Sequence, residues 1–164
     1  MATRGQVLIP VAITAVIIGI VGVLTLPPDS RFAEVNFPRG TIKIDNVTLD
    51  VQVAETDEAR ARGLMFQEQL PYDQGMIFVI NNEQVIPIWM QNMQFPLDII
   101  WFDSNGNIVH ISKYVQPCQS ALQTVTCPVD NGGGKPAKYV LEVTAGFVNK
   151  FNITTDSKMQ IISI

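Results

Sequence analysis

Two acidic residues lie inside apolar segments with the composition of β-strands. Asp98 is in LDIIWFD, residues 97–103, and Glu142 is in KYVLEVT, residues 138–144. An ionised carboxylate is costly to bury there unless it is paired or hydrogen-bonded. Two such groups that face one pocket can separate their pKa values and act as general acid and general base. Asp98 and Glu142 are therefore candidate catalytic residues of a small hydrolase-like enzyme acting on a polar substrate.

The same two carboxylates also have a structural interpretation. Either can form an ion pair with Arg60 or Arg62, or accept hydrogen bonds from backbone N–H groups, and neither arrangement needs a substrate. His110 is the single histidine of the chain, so a Ser-His-Asp set would depend on it alone. These residues leave open whether the chain is an enzyme, and they favour a role without catalysis.

A segment rich in aromatic and amide side chains indicates a binding function. Residues 88–102 read IWMQNMQFPLDIIWF, and a mixture of broad apolar faces with amide donors is typical of pockets for small ligands or partners. Met90, Ile99 and Trp101 are assigned to the core. The candidate ligand-binding residues are Trp89, Asn92, Asp98 and Arg62.

Methionines provide one metal-site alternative, and the cysteine pair, which lacks the C-x-x-C spacing and a nearby His, is a weaker one. Met90 and Met93 have a spacing that a soft ion such as Cu(I) can use. However, Met commonly fills irregular gaps beside aromatic rings, and strand alternation would place these two on opposite faces. The preferred interpretation is therefore that the chain holds neither metal nor cofactor.

The elements that must position these residues are mainly strands. TIKIDNVTLDVQVA, residues 41–54, predicts a hairpin around Asp45-Asn46, and Ser104 to Asn107 predicts another turn. Thr56 and Gly63 are suitable start and stop residues for a helix of two turns, and residues 145–151 predict a second short helix. Further strands are predicted in residues 75–80, 85–91, 97–103, 107–115, 138–144 and 158–164. The fold class is a β-rich α+β domain, either a compact antiparallel barrel or a sandwich, with one or two short helices.

The amino-terminal segment predicts membrane attachment. Residues 7–26 are apolar and uncharged over the length that spans a bilayer, and Arg4 precedes them. We therefore expect a cytoplasmic tail and anchor in residues 1–26, a proline-rich linker in 27–39 and one β-rich domain in 40–164. The protein would be a single-pass membrane protein with its domain outside the cytoplasm, and a cleaved signal peptide is the alternative for residues 1–26.

That location determines how the two cysteines and the charge are interpreted. Cys118 and Cys127 would form a disulfide in an oxidising compartment. The chain has 15 Asp and Glu against 11 Lys and Arg, and this acidic balance argues against nucleic acid as a partner. The expected partners are the membrane, through the amino-terminal helix, and an unidentified small molecule or exported protein.

An ordered series of motifs resembles domain-of-unknown-function family 192. The series comprises GLM at 63–65, GMIF at 75–78, IWMQNMQFPLD at 88–98, the cysteine pair and YVLEVTAG at 139–146, within residues 41–164. The resemblance implies a compact β-rich fold and frequent export, and it implies no established biochemical activity. The sequence departs from the family pattern at Gln91, Met93 and Thr155.

Overall fold

The main element of the domain is a sheet of seven strands. The computed structural model describes residues 36–118 and 126–164. The main sheet contains β1 (Arg39–Ile44), β2 (Val47–Ala54), β3 (Gln74–Gln84), β5 (Leu97–Phe102), β6 (Ile108–Val115), β8 (Ala137–Thr144) and β9 (Met159–Ser163). The described residues also contain a small sheet of β4 (Ile88–Trp89) and β7 (Val129–Asp130), a 3-10 turn (Gly132–Gly134), and helices α1 (Asp57–Arg62) and α2 (Phe147–Lys150).

These elements confirm a mainly β fold with two short helices. The predicted hairpin joins β1 to β2, and Asp45 takes the positive φ of 50° that its turn requires. At the start of α1, the Thr56 hydroxyl accepts a hydrogen bond from the backbone N–H of Ala59 at 3.1 Å. Gly63 ends the same helix with φ of 50°. Residues 85–91, predicted as a full strand, contribute only the two residues of β4.

The strand order corrects the antiparallel prediction. The order is β6-β5-β8-β3-β2-β1-β9, and β2 pairs with β3 in parallel, with Val51 beside Gly75. The other neighbouring pairs of the main sheet are antiparallel. Two consecutive strands can be parallel only if a long connection returns the chain to the starting end, and α1 with residues 63–73 provides it. The sheet is therefore mixed.

The sheet curves without closing into a barrel. Its edge strands, β6 and β9, approach each other at one isolated bridge between Asn107 and Lys158. Next to this bridge, the N–H of Met159 donates to the carbonyl of Gly106 at 2.8 Å. In residues 36–118 and 126–164 no ladder between β6 and β9 extends the bridge. An open mixed sheet thus replaces the predicted barrel or sandwich.

The inner face of the curved sheet carries the larger apolar core. Burial of each large aliphatic or aromatic side chain stabilises the fold by about 1.5–3 kcal/mol. Phe147 and Val148 of α2 pack against this face and are almost completely buried. The sheet residues that form the cluster are Ile42, Ile44, Leu49, Val51, Val53, Ile77, Ile100, Phe102, Ile108, Leu141, Val143 and Met159.

The second face is defined by one row of neighbours across the sheet: Gln52, Met76, Glu142 and Ile99. Two side chains of the sheet attach the covering segments to it. Gln52 exchanges two amide hydrogen bonds with Gln67, at 2.8 and 3.0 Å. The indole N–H of Trp101 donates to the carbonyl of Ile86 at 3.1 Å. The segments around residues 67 and 86 are thereby fixed over this face.

The predicted membrane segment, residues 7–26, lies outside the described residues. Among the helices in residues 36–118 and 126–164, none has both the length and the apolarity needed to cross a bilayer. The described residues belong to one compact unit, residues 36–164.

Candidate functional site

Glu142 is a buried acid that lies on strand β8. Strand β8 positions it on the second face, between Met76 of β3 and Ile99 of β5. The residue is 4% exposed, and within the described residues its Oε2 atom has no hydrogen bond. Desolvation by burial raises the pKa of Glu142 to about 8. The group is therefore mainly protonated and neutral at neutral pH.

A cavity of about 350 Å³ lies over this part of the sheet, and Glu142 lines it. Most of its inner lining is apolar and buried, while Val85 and Trp89, at 43% and 44% exposure, lie at its mouth. The volume is within the range of small-molecule sites. The apolar and aromatic lining residues are Ala61, Leu64, Met65, Phe78, Ile80, Val85, Ile86, Pro87, Ile88, Trp89 and Met93.

The wall formed by residues 85–93 is held by several backbone contacts. The N–H of Cys118 donates to the carbonyl of Met90 at 2.8 Å, and the N–H of Asn92 donates to the carbonyl of Cys118 at 3.2 Å. Cys118 is bonded to Cys127, which confirms the predicted disulfide. The disulfide therefore helps to hold the cavity wall in place.

Helix α1 brings charged residues to the mouth of the cavity. Arg60 pairs with the carboxylate of Asp57 and also donates to the carbonyls of Glu55 and, at 2.9 Å, Val79. The guanidinium carbon of Arg62 lies over the ring of Phe66, 4.9 Å from its centroid. The ion pair of Arg60 is thus with Asp57, whereas the sequence suggested pairing with Asp98 or Glu142.

Asp98 is not part of this cavity. Ile99 is the neighbour of Glu142 in the sheet, so Asp98, one residue earlier, points to the inner face. Its Oδ1 accepts from the N–H of Tyr114 at 2.9 Å, and its Oδ2 accepts from the N–H groups of Gly146 and Val148 at 3.1 and 2.9 Å. The structure therefore does not bring the two candidate catalytic carboxylates together. Asp98 joins strands β5 and β6 to the start of α2.

The remaining candidate residues divide between cavity and support. Trp89 and Arg62 line the cavity, as does Met93, whereas Asn92 and Met90 are not in its lining. Asn92 has φ of 57°, and its carbonyl accepts from the N–H of Phe66 at 3.1 Å. The described part of the chain contains no cluster of three His, Cys, Asp or Glu side chains that could hold a metal ion.

Residues 40–161 match the profile of DUF192, a family described as “Uncharacterized ACR”. The chain belongs to the DUF192 family. Among curated proteins, none matches the chain. The predicted resemblance, which spanned residues 41–164, is thus confirmed over residues 40–161.

Two solved structures are similar to this DUF192 chain. A “putative transcription regulator” from Sinorhizobium meliloti 1021 is 26% identical, with a TM-score of 0.69, over 79% of this chain and 98% of that one. A protein of unknown function from Novosphingobium aromaticivorans DSM 12444 is 22% identical, with a TM-score of 0.64, over 82% and 97% of the two chains. The second likeness concerns the fold alone.

The motifs that carried the DUF192 resemblance converge on the cavity. The GLM motif contributes Gly63, Leu64 and Met65, and the GMIF motif contributes Phe78. The lining residues from the two longer motifs are Ile88, Trp89, Met93 and Glu142. Four motifs that are far apart in the sequence thus contribute residues to one cavity.

Sequence reasoning missed most of the apolar lining. Phe78, Ile80 and Ile86 have the composition of ordinary core residues, and nothing in their spacing separates a cavity wall from a filled core. Two signals were usable: the aromatic and amide segment that gave Trp89, and the acid within an apolar strand. Glutamate is a residue type that seldom lies fully buried without a partner.

Proposed function

We propose that this DUF192 protein is a binding module whose ligand is a small, largely apolar molecule with one polar group. The observation that carries the proposal is the buried carboxyl of Glu142, whose Oε2 has no hydrogen-bond partner among the described residues and which lines a mainly apolar cavity beside Trp89. A buried polar group without a partner costs about 1–3 kcal/mol. A ligand that pairs with it recovers part of that cost, so the group favours occupancy of the cavity.

The proposed location is the outer side of a membrane, with residues 7–26 as the anchor. The apolar length of that segment and the Cys118–Cys127 disulfide support this location, because disulfides persist in oxidising compartments. A topology reporter fused after Ile164 should be active outside the cytoplasm. Activity only in the cytoplasm would contradict the proposal.

Three other functions have less support. An enzyme that uses Asp98 and Glu142 together is not proposed, since the two carboxyl groups lie on opposite faces of the sheet. Copper binding by Met90 and Met93 is not proposed, since only Met93 lines the cavity. A role on DNA, which the printed description of the S. meliloti protein would suggest, fits poorly with a net charge of −4.

Blocking the mouth of the cavity tests the binding function. Val85→Trp places an indole in the lining, whereas Ile162→Trp makes a matched change at a residue of β9 that is 62% exposed and outside the cavity. Native mass spectrometry of the full-length protein from its own host should show a retained small molecule in the wild type and in Ile162→Trp. The signal should be absent from Val85→Trp and reduced in Trp89→Ala. Equal retention in all four proteins would contradict the cavity as the binding site.

A further inference from the structure

The surroundings of Glu142 specify which polar group a ligand can present to it. Its neighbours in the sheet, Met76 and Ile99, are uncharged, and the lining from β3 and from residues 85–93 contains no charged side chain. The charged residues of the lining besides Glu142 are Asp57, Arg60 and Arg62, all from α1. Arg60 is already engaged by Asp57 and by two backbone carbonyls.

A carboxyl group in these surroundings retains its proton at neutral pH, because burial raises the pKa of Glu142 to about 8. A protonated carboxyl has one O–H donor in addition to its acceptor oxygens. The inner part of the cavity therefore offers a neutral hydrogen-bond donor, although the residue is formally an acid.

We propose that the cavity selects an uncharged ligand whose polar end is a hydrogen-bond acceptor, such as a carbonyl oxygen, and that the carboxyl of Glu142 donates to it. This inference rests on the binding function proposed above. It adds the chemical class of the ligand and the direction of the hydrogen bond.

Charged head groups fit the inner cavity less well. An ammonium group has three donors, and the apolar lining around Glu142 would leave at least one of them unpaired. An ion pair buried there would also lose the hydration of both charges. A carboxylate next to Glu142 would lie beside Met76 and Ile99, since the cations of the lining, Arg60 and Arg62, both come from α1. Arg60 already pairs with Asp57, and Arg62 lies over the ring of Phe66.

Four naphthalene probes of nearly equal size test this selection on the full-length protein. They are 2-acetylnaphthalene as the acceptor, 2-methylnaphthalene without a polar group, 2-(aminomethyl)naphthalene as the cation and 2-naphthoate as the anion. Dissociation constants are measured by calorimetry at pH 6 and pH 9, with protein-free blanks.

At pH 6 the acetyl probe should bind about tenfold more tightly than the methyl probe, the ratio expected for one hydrogen bond. At pH 9 the affinity of the acetyl probe should fall about tenfold as Glu142 ionises, while that of the methyl probe should change little.

Two variants identify the donor. Glu142→Gln retains an N–H donor but does not titrate, so the preference for the acetyl probe should persist at both pH values. Glu142→Met removes the donor with a similar side-chain length, so this preference should disappear while the methyl probe still binds. A preference that survives in Glu142→Met would overturn the inference.

The outcomes separate the inference from the function on which it rests. Tightest binding of the cationic or the anionic probe, or equal binding of the acetyl and methyl probes, would overturn the ligand class and leave the binding module intact. Failure of all four probes to bind would contradict the binding module and the ligand class together.

Discussion

Among the described residues, each face of the sheet buries one acid, and the two acids differ in their hydrogen bonding. Asp98, on the inner face, accepts three hydrogen bonds from backbone N–H groups. Glu142, on the second face, lines a cavity, and its Oε2 has no hydrogen bond to any residue that the structure describes. The two residues are close in the sheet, since Asp98 precedes the direct neighbour of Glu142. The difference is therefore local, and it depends on what covers each face.

This contrast separates a structural acid from a functional one. The fold itself supplies the partners of Asp98, so that residue needs nothing from outside. The fold leaves Glu142 desolvated, with Oε2 unpaired among the described residues, and a buried polar atom without a hydrogen bond lowers the stability of the native state. Groups of this kind are common at binding and catalytic sites, where stability is exchanged for recognition.

The largest expected loss of stability comes from Asp98→Asn. Whichever way the new amide turns, its NH₂ group faces a backbone N–H donor, so at least one hydrogen bond is replaced by repulsion. We expect the free energy of unfolding to fall by about 3 kcal/mol or more, since hydrogen bonds to charged groups contribute about 1.5–3 kcal/mol each. Urea denaturation followed by circular dichroism measures this loss. Asp73→Asn, at an exposed acid, is the control and should change stability by less than about 0.5 kcal/mol. A similar fall in the free energy of unfolding in Asp98→Asn and Asp73→Asn would show that the hydrogen bonds of Asp98 do not stabilise the fold.

Glu142→Gln should have the opposite sign. The pKa of Glu142 is about 8 in the folded protein against 4.5 for an ordinary glutamate. Between these values the folded state holds a proton that the unfolded state releases, so wild-type stability declines as pH rises from 4.5 to 8. The variant lacks this decline and should be more stable by a few kcal/mol at pH 8.5, at about 1.4 kcal/mol per pKa unit. Below pH 4.5 the two proteins should differ little.

Unfolding curves of the wild type and Glu142→Gln at pH 4, 6 and 8.5 measure this difference in the free energy of unfolding. A difference between the wild type and Glu142→Gln that does not grow with pH would show that Glu142 has partners in solution. In that case the comparison of the two acids would lose its basis.

Loss of the disulfide should weaken the second face in particular. Cys118→Ser with Cys127→Ser should lower stability by about 2–3 kcal/mol, the entropic effect expected for a loop of about ten residues. Because Cys118 supports the cavity wall through Met90 and Asn92, hydrogen exchange should increase in residues 85–93 more than in β1. Thiol labelling of the untreated protein should find neither cysteine, and labelling of both without reductant would refute the bond.

The smallest effect is expected for Trp101→Phe. The change removes the indole N–H that donates to the carbonyl of Ile86 and keeps most of the apolar volume. An unpaired carbonyl near the sheet should cost about 1–2 kcal/mol. A thermal melt measures the loss, and probe affinity should fall because residue 86 lines the cavity. Unchanged affinity would show that this bond is not needed to hold the wall.

The strands were predictable because their residues follow local rules. Alternation and β-branched residues located β1, β2, β5, β6, β8 and β9, and the cap at Thr56 located α1. The parallel pairing of β2 with β3 was missed, since it depends on the path of residues 63–73, which no local pattern encodes. Whether the sheet closes into a barrel could not be predicted from the sequence either, because it depends on the curvature of the whole sheet.

The site was predictable only in part, for a similar reason. An acid inside an apolar strand identified both Asp98 and Glu142, and the residue types alone could not tell which one had partners. The distinction arose from the long-range contacts of Asp98 with Tyr114, Gly146 and Val148. A cavity and a filled core use the same side chains, so its apolar walls carried no separate signal.

The first and last strands of the domain are neighbours, and Thr41 of β1 pairs with Ser163 of β9. A short peptide could therefore link the two ends without crossing the molecule, as circular permutation requires. For the same reason, the whole unit is suited to insertion into a surface loop of a host protein, where two nearby attachment points are all that the host can offer.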